Sequence, residues 1–334
     1  MAIRSFPYML PLTSRITQSN KPSWLRLRTG FASSMYQLTG LCSIALILAM
    51  QMAVAMPSVS SSELDATSSE PSTTLPQQDK TTDKRIVALA PHIVEMLHEI
   101  GAYDHIIATS EHADYPLQAK QLPRVGNYLA LDIERILQLQ PDLVIAWQSG
   151  VPINDLARLQ SLGIDVLFSN PTQLSDVADE LRWLGQLTGH QSLANRKAAL
   201  FEKQLSQLTK HYQNRPRVSV FYQLWAHPLT TVAKDAWSQQ QLDICGAYNP
   251  FNSATSQYPQ INIEQVLLAN PDVIIVPQSQ SVTSDGFDWS KYPSITAVVQ
   301  QQYIHPNADA LHRMSYRLID ELAMLCERID AFRQ

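Results

Sequence analysis

Four aromatic residues are the first candidates for chemistry in this sequence. Tyr115 stands in ADYP, Tyr128 in RVGNY, Trp147 closes DLVIAW, and Trp225, with His227 two residues on, follows RVSVFYQL. Each comes where a β-branched run gives way to a loop. One such ring is ordinarily core or chance. Three on the loops of one half of the chain, with a fourth in the other half, suggest an apolar wall for a large ligand. Asp309 and Arg313 are four residues apart, the spacing of an ion pair across one helical turn. They could equally give polar contacts opposite the rings. Glu134 and Glu264 recur in register in LDIERILQLQPDLVIA and INIEQVLLANPDVIIV. As helix-start carboxylates they favour the helix dipole. As a matched pair on two similar units they suit a partner that is itself two-fold.

The signatures of the common enzyme classes are missing. None of the 10 glycines forms G-x-G, and there is no phosphate-binding loop, no G-x-S-x-G elbow, no C-x-x-C and no H-E-x-x-H. The 9 histidines are scattered without paired-ligand spacing. His92, between a strand and a helix, reads as a capping or solvated residue. A binding protein is therefore expected rather than an enzyme, with no cofactor and no metal. The formal net charge is -5, and the five basic residues of 1–55 mask a more acidic body of about -10. Such a body lacks the basic face that nucleic acid requires.

The candidate residues need strands that end on loops, and the periodicity provides them. RIVALA, HIIATS, DLVIAW and DVLFS are strand patterns, separated by the helical patterns PHIVEMLHEIGA, IERILQLQ and INDLARLQSLG. RVSVFYQL and DVIIV, with SQQQLDICGA, IEQVLLA and a last helix over about 310–331, repeat the theme. Alternation of this kind predicts parallel sheets. Between the halves runs SLANRKAALFEKQLSQLTKHYQ, free of Gly and Pro, with Ser192 as a plausible N-cap. As one helix it spans about 30 Å and joins two lobes stiffly. The expected fold is α/β: two Rossmann-like lobes with parallel sheets joined by one long rigid helix. The expected divisions are 84–190, 191–214 and 215–334.

The first 83 residues read differently. A basic stretch, the apolar run LCSIALILAMQMAVA and Ala53-Val54-Ala55 make 1–55 a cleaved secretory signal. The run is about 15 residues, short of a span. Residues 56–83 are rich in Ser, Thr, Pro and Gln and read as a disordered tether. The expected location is the periplasm. Cys245 and Cys326 remain after the signal, and an even pair in an exported protein favours a disulfide over two buried thiols.

RIVALAPHIVEMLHEIGA, ADYP, RVGNY, LDIERILQLQPDLVIAW, ICGA and the closing helix with Cys326 resemble, in order and spacing, the periplasmic cobalamin-binding proteins of bacterial ABC importers, a helix-linked (class III) substrate-binding family. The resemblance covers about 84–330. It implies cobalamin held between two lobes, Tyr115, Tyr128 and Trp147 on one side, Asp309 and Arg313 on the other, and a Cys245–Cys326 bridge. It further implies that Glu134 and Glu264 dock a monomer, one lobe each, onto arginines of a two-fold permease dimer. Tyr128 departs from members that carry Trp there. Related proteins of this build carry ferric siderophores or haem, and His92, Tyr115 and His227 keep haem open.

Overall fold

Each sheet is built from runs that are apolar on both faces, because helices cover both sides of a parallel sheet. The computed structural model describes residues 84–279 and 286–333. The secretory signal and the tether expected over 1–83 lie outside them. The first sheet has β1 (Ile86–Leu89), β2 (Ile106–Thr109), β3 (Leu143–Trp147) and β4 (Val166–Ser169) in the order β2-β1-β3-β4. The second has β5 (Val218–Tyr222), β6 (Ala247–Tyr248), β7 (Val273–Ile275) and β8 (Tyr303–Ile304) in the order β6-β5-β7-β8. All pairings are parallel. Numbered within each sheet, the two orders are the same, 2-1-3-4.

The helices are α1 (Pro91–Glu99), α2 (Ile133–Gln138), α3 (Ile153–Ser161), α4 (Asp176–Thr188) and α5 (Gln191–Tyr212), then α6 (Trp237–Ile244), α7 (Ile263–Ala269), α8 (Thr296–Val299), α9 (Ala308–Leu311) and α10 (Leu318–Asp330). Alternate residues of β1 serve different cores: Ile86 and Ala88 face α1 and α4, whereas Val87 and Leu89 join Ile133, Ile136, Leu156 and Leu159 from α2 and α3. The cluster containing Ile86 continues through Ala194, Ala198 and Phe201 of α5 to Val220, Leu242, Leu322 and Ile329 beyond it.

The repeated sequence occupies equivalent places: α2 leads into β3 and α7 into β7, the third strand of each sheet. The residue before each proline leaves the helix with positive φ, Gln140 at 47° and Asn270 at 41°, where proline disfavours continued right-handed helix. The aspartate that follows fastens the next strand. Asp142 Oδ2 accepts from Arg85 N at 2.8 Å and Asp272 Oδ2 from Ser219 N at 3.0 Å. Pro-Asp is thus a folding device used once per lobe.

Three sequence expectations change. α5 runs over 191–212, and Ser192 is not its N-cap: His190 holds that place and makes no side-chain cap hydrogen bond. Gly189, with φ 76°, turns the chain so tightly out of α4 that α5 begins before the serine. α4 itself has no counterpart in the strand-and-helix reading. It packs along α5 at a distance set by Gly185, where any Cβ would collide with that of Ala194. The last helix is not continuous over 310–331 but breaks between α9 and α10, because residues 312–317 are drawn away by contacts described below.

Cys245 at the end of α6 is disulfide-bonded to Cys326 of α10 across a sequence separation of 81, and both are fully buried. For a loop of that length the chain-entropy account gives about 4 kcal/mol. Cys245→Ala with Cys326→Ala is expected to lower the unfolding free energy by about that amount in urea titration, with native circular dichroism retained before the transition.

Candidate functional site

Ligands of open α/β sheets sit beyond the carboxyl ends of the strands, and the candidate residues lie there in both lobes. Tyr115 and Tyr128 follow β2, Trp147 ends β3, Trp225 follows β5, and Asp309 and Arg313 follow β8. The loop bearing Tyr115 is pinned by Arg124, whose guanidinium donates to Ser110 O at 2.9 Å, Ala113 O at 2.8 Å and Ala119 O at 3.1 Å. The Tyr128 turn is closed by Asn127 Oδ1, which accepts from Leu129 N at 2.8 Å. That turn leaves Tyr128 68% exposed. Trp147 is half-buried, edge-on to His92 with ring centroids 5.9 Å apart. Gly150 makes room for its indole, since a Cβ there would strike the ring. Trp225 is 66% exposed on a turn closed by reciprocal bonds with Thr230.

Asp309 accepts from Ser279 Oγ at 2.9 and 3.1 Å and lies 3.5 Å from Arg313 Nη2, so the four-residue spacing does make an ion pair. Arg313 also reaches the first lobe. Its Nη1 donates to Glu95 Oε1 at 2.8 Å and to Asp114 Oδ1 at 2.6 Å, and its Nη2 to His112 O at 3.1 Å. The Arg317 guanidinium lies 3.9 Å from the Tyr115 ring centroid, a cation–π geometry. Tyr115, Asp309 and Arg313 therefore belong to one network, while Tyr128 and Trp225 are displayed towards solvent. Sequence reasoning missed Glu95, Asp114, Ser315 and Arg317. The available signals were a carboxylate inside the apolar run IVEML and a second arginine four residues after Arg313.

Glu134 and Glu264 are both exposed, each at the second residue of its helix. The helix starts are already capped: Asp132 Oδ1 accepts from Arg135 N at 3.0 Å and Asn262 Oδ1 from Gln265 N at 2.9 Å. That weakens the reading in which the glutamates serve their own helices.

Two histidines are held neutral. His92 is neither solvated nor a cap: it is 3% exposed, with Nε2 3.0 Å from Ser169 Oγ. Burial first, and then the charge of Arg313, pushes it down to about 3. His312, whose Nε2 lies 2.8 Å from Tyr222 OH in a hydrogen bond, is lowered by burial to about 4, against the opposing charge of Asp309. Burial raises the Asp114 carboxyl, but the hydrogen bond and charge of Arg313 outweigh it and hold it below its usual range. Among the described residues no group of three or more His, Cys, Asp or Glu could hold a metal ion.

A buried histidine with a depressed pKa stabilises the fold above its unfolded value and loses that contribution as pH falls towards the folded one. Between pH 6.5 and pH 5, His92 alone should cost roughly 2 kcal/mol. His312 acts in the same direction. Stability measured by urea titration is expected to fall over that interval, and less steeply in His312→Gln.

The fold and the sequence as a whole match known proteins. The family model described as periplasmic binding protein matches residues 86–288. The vitamin B12-binding protein of Vibrio campbellii is 36% identical over 252 residues, covering 75% of this chain and 91% of that protein. Among solved structures, the periplasmic vitamin B12 binding protein of Vibrio cholerae superposes with a TM-score of 0.68 at 34% identity, over 75% of this chain and 97% of that one. A periplasmic haem-binding protein solved with two haems has a TM-score of 0.64 at 18% identity, covers 75% of this chain and 98% of that one, and shares the fold alone. Two parallel α/β lobes joined through α5, with a family match across most of the described residues, make this chain a member of the periplasmic binding protein family.

Proposed function

We propose that the protein captures cobalamin between its two lobes and hands it to the permease of an ABC transporter. The observation that carries this reading is the 36% identity to a vitamin B12-binding protein across 91% of that protein's length. Aromatic residues at the strand ends of both lobes support it, because a corrin ring offers a wide apolar face to stack against. In this reading Tyr115, Tyr128 and Trp147 meet the ligand from the first lobe, and Trp225, Asp309 and Arg313 from the second. The lobes are 84–190 and 215–334, with 191–214 as the link. The chain binds and releases without catalysis or a resident cofactor and acts as a monomer. Residues 1–55 direct export to the periplasm.

The ferric siderophore or haem alternative draws on relatives of the same fold. His92, committed to Ser169 and enclosed, is poorly placed as an axial ligand. Titration of the purified protein with cobalamin, cobinamide and haemin separates the readings. A cobalamin spectrum on the protein supports the proposal, and a Soret band with no corrinoid uptake overturns it.

Burying an aromatic ring against a large ligand is worth about 1.5–3 kcal/mol. Trp147→Ala and Tyr128→Ala are each expected to weaken cobalamin binding roughly tenfold or more. Unchanged affinity in both would place those rings outside the site.

Glu134 and Glu264 are proposed to dock on basic residues of the two permease halves, because they are exposed at equivalent positions of equivalent helices. Charge pairs of that kind steer and orient association. The double variant Glu134→Ala, Glu264→Ala is expected to keep cobalamin affinity near wild type and to lose permease capture in pull-down. The single variants should retain capture that weakens further at high salt.

A further inference from the structure

We propose that Glu95 is a positioning residue. With Arg313, Ser315 and Arg317 it forms a clasp between the lobes that fixes the width of the cleft, and so the residence time of its ligand. The residence-time part rests on the cobalamin reading above; the clasp does not. Glu95 lies in α1 with its side chain 1% exposed, and the cations it faces come from the other lobe. Its Oε1 accepts from Arg313 Nη1 at 2.8 Å and Arg317 Nη2 at 2.6 Å. Its Oε2 accepts from Arg317 Nε at 3.1 Å and from Ser315 Oγ. All three donors lie in 312–317, the segment that breaks the helix between α9 and α10.

The same segment is tied elsewhere. Arg313 holds Asp114 and His112 O in the loop after β2. The Tyr316 ring packs on Phe201 of α5 with centroids 6.1 Å apart. The Lys197 ammonium lies 5.0 Å from the Tyr316 ring centroid and pairs with Glu99 of α1. A strap of six residues from the second lobe is thus attached to α1, to the β2 loop and to α5. A connecting helix resists bending along its length but does not by itself hold the lobes together where the strands end. The clasp does. Opening it would leave a buried carboxylate without its cations, which is far costlier than parting an exposed pair.

The test compares full-length wild type, Glu95→Gln and Arg317→Lys. Hydrogen exchange read by mass spectrometry should speed up by about tenfold or more across 312–318 in Glu95→Gln, with α3 and β5 at wild-type rates. Cobalamin dissociation should rise by about tenfold, with association within about twofold of wild type. Arg317→Lys keeps the charge but loses the two-pronged bond. It should move both readouts the same way by about threefold or more, and it decides the matter if Glu95→Gln does not fold. Unchanged exchange across 312–318 in the folded variants overturns the clasp, as does acceleration spread equally over α3 and β5. Faster exchange with unchanged dissociation overturns its link to residence time. If wild type takes up no cobalamin, the functional reading fails and the exchange comparison alone decides the clasp.

Discussion

A carboxylate removed from water costs several kcal/mol unless cations and hydrogen-bond donors replace the water. At Glu95 that replacement comes from more than 200 residues away: Arg313, Ser315 and Arg317 fill both of its oxygens. Much of the local structure follows from this constraint. The chain between α9 and α10 must leave helical geometry to deliver three donors to one point. The β2 loop must bring Asp114 within reach of the same arginine, and Arg124 holds that loop by three carbonyls so that it does. Tyr115 then lies under Arg317 as a consequence of where the guanidinium has been drawn.

The two lobes reach the same topology with different means. Both use the 2-1-3-4 strand order, and both fasten it with an aspartate that accepts a backbone hydrogen bond from the first strand or the residue before it. The second lobe is the sparer of the two, with β6 and β8 only two residues long. It compensates by cross-linking, through the Cys245–Cys326 bridge and through Arg333, which donates to the carbonyls of Pro216 and Cys245. The first lobe relies on longer strands and on apolar helices packed against both faces of its sheet.

The sequence revealed whatever is periodic or repeated. The parallel strands follow from β-branched runs, and the uninterrupted helix from 22 residues without a breaker. The equivalence of Glu134 and Glu264 follows from the Pro-Asp repeat. What it concealed depends on long-range placement. No local pattern says that Glu95, inside IVEML, is buried against arginines of the other lobe. The close packing of α4 on α5 depends on Gly185, which a helix reading counts only as a weak former. Ser192 looked like a helix start because its side chain is suited to capping, yet the turn at Gly189 had already set the helix going.

The apolar cluster that begins at Ile86 and ends at Ile329 has no seam at the boundary between lobes. Two lobes with separate cores could fold one after the other as the chain is made, each complete when its last strand arrives. Here the side of α5 turned towards the second lobe stays partly uncovered until α10, with Leu318, Leu322 and Leu325 in the same cluster, has packed against it. The linking helix therefore cannot complete its packing before the end of the chain is present. A chain stopped short of α10 would leave that apolar side of the linking helix exposed.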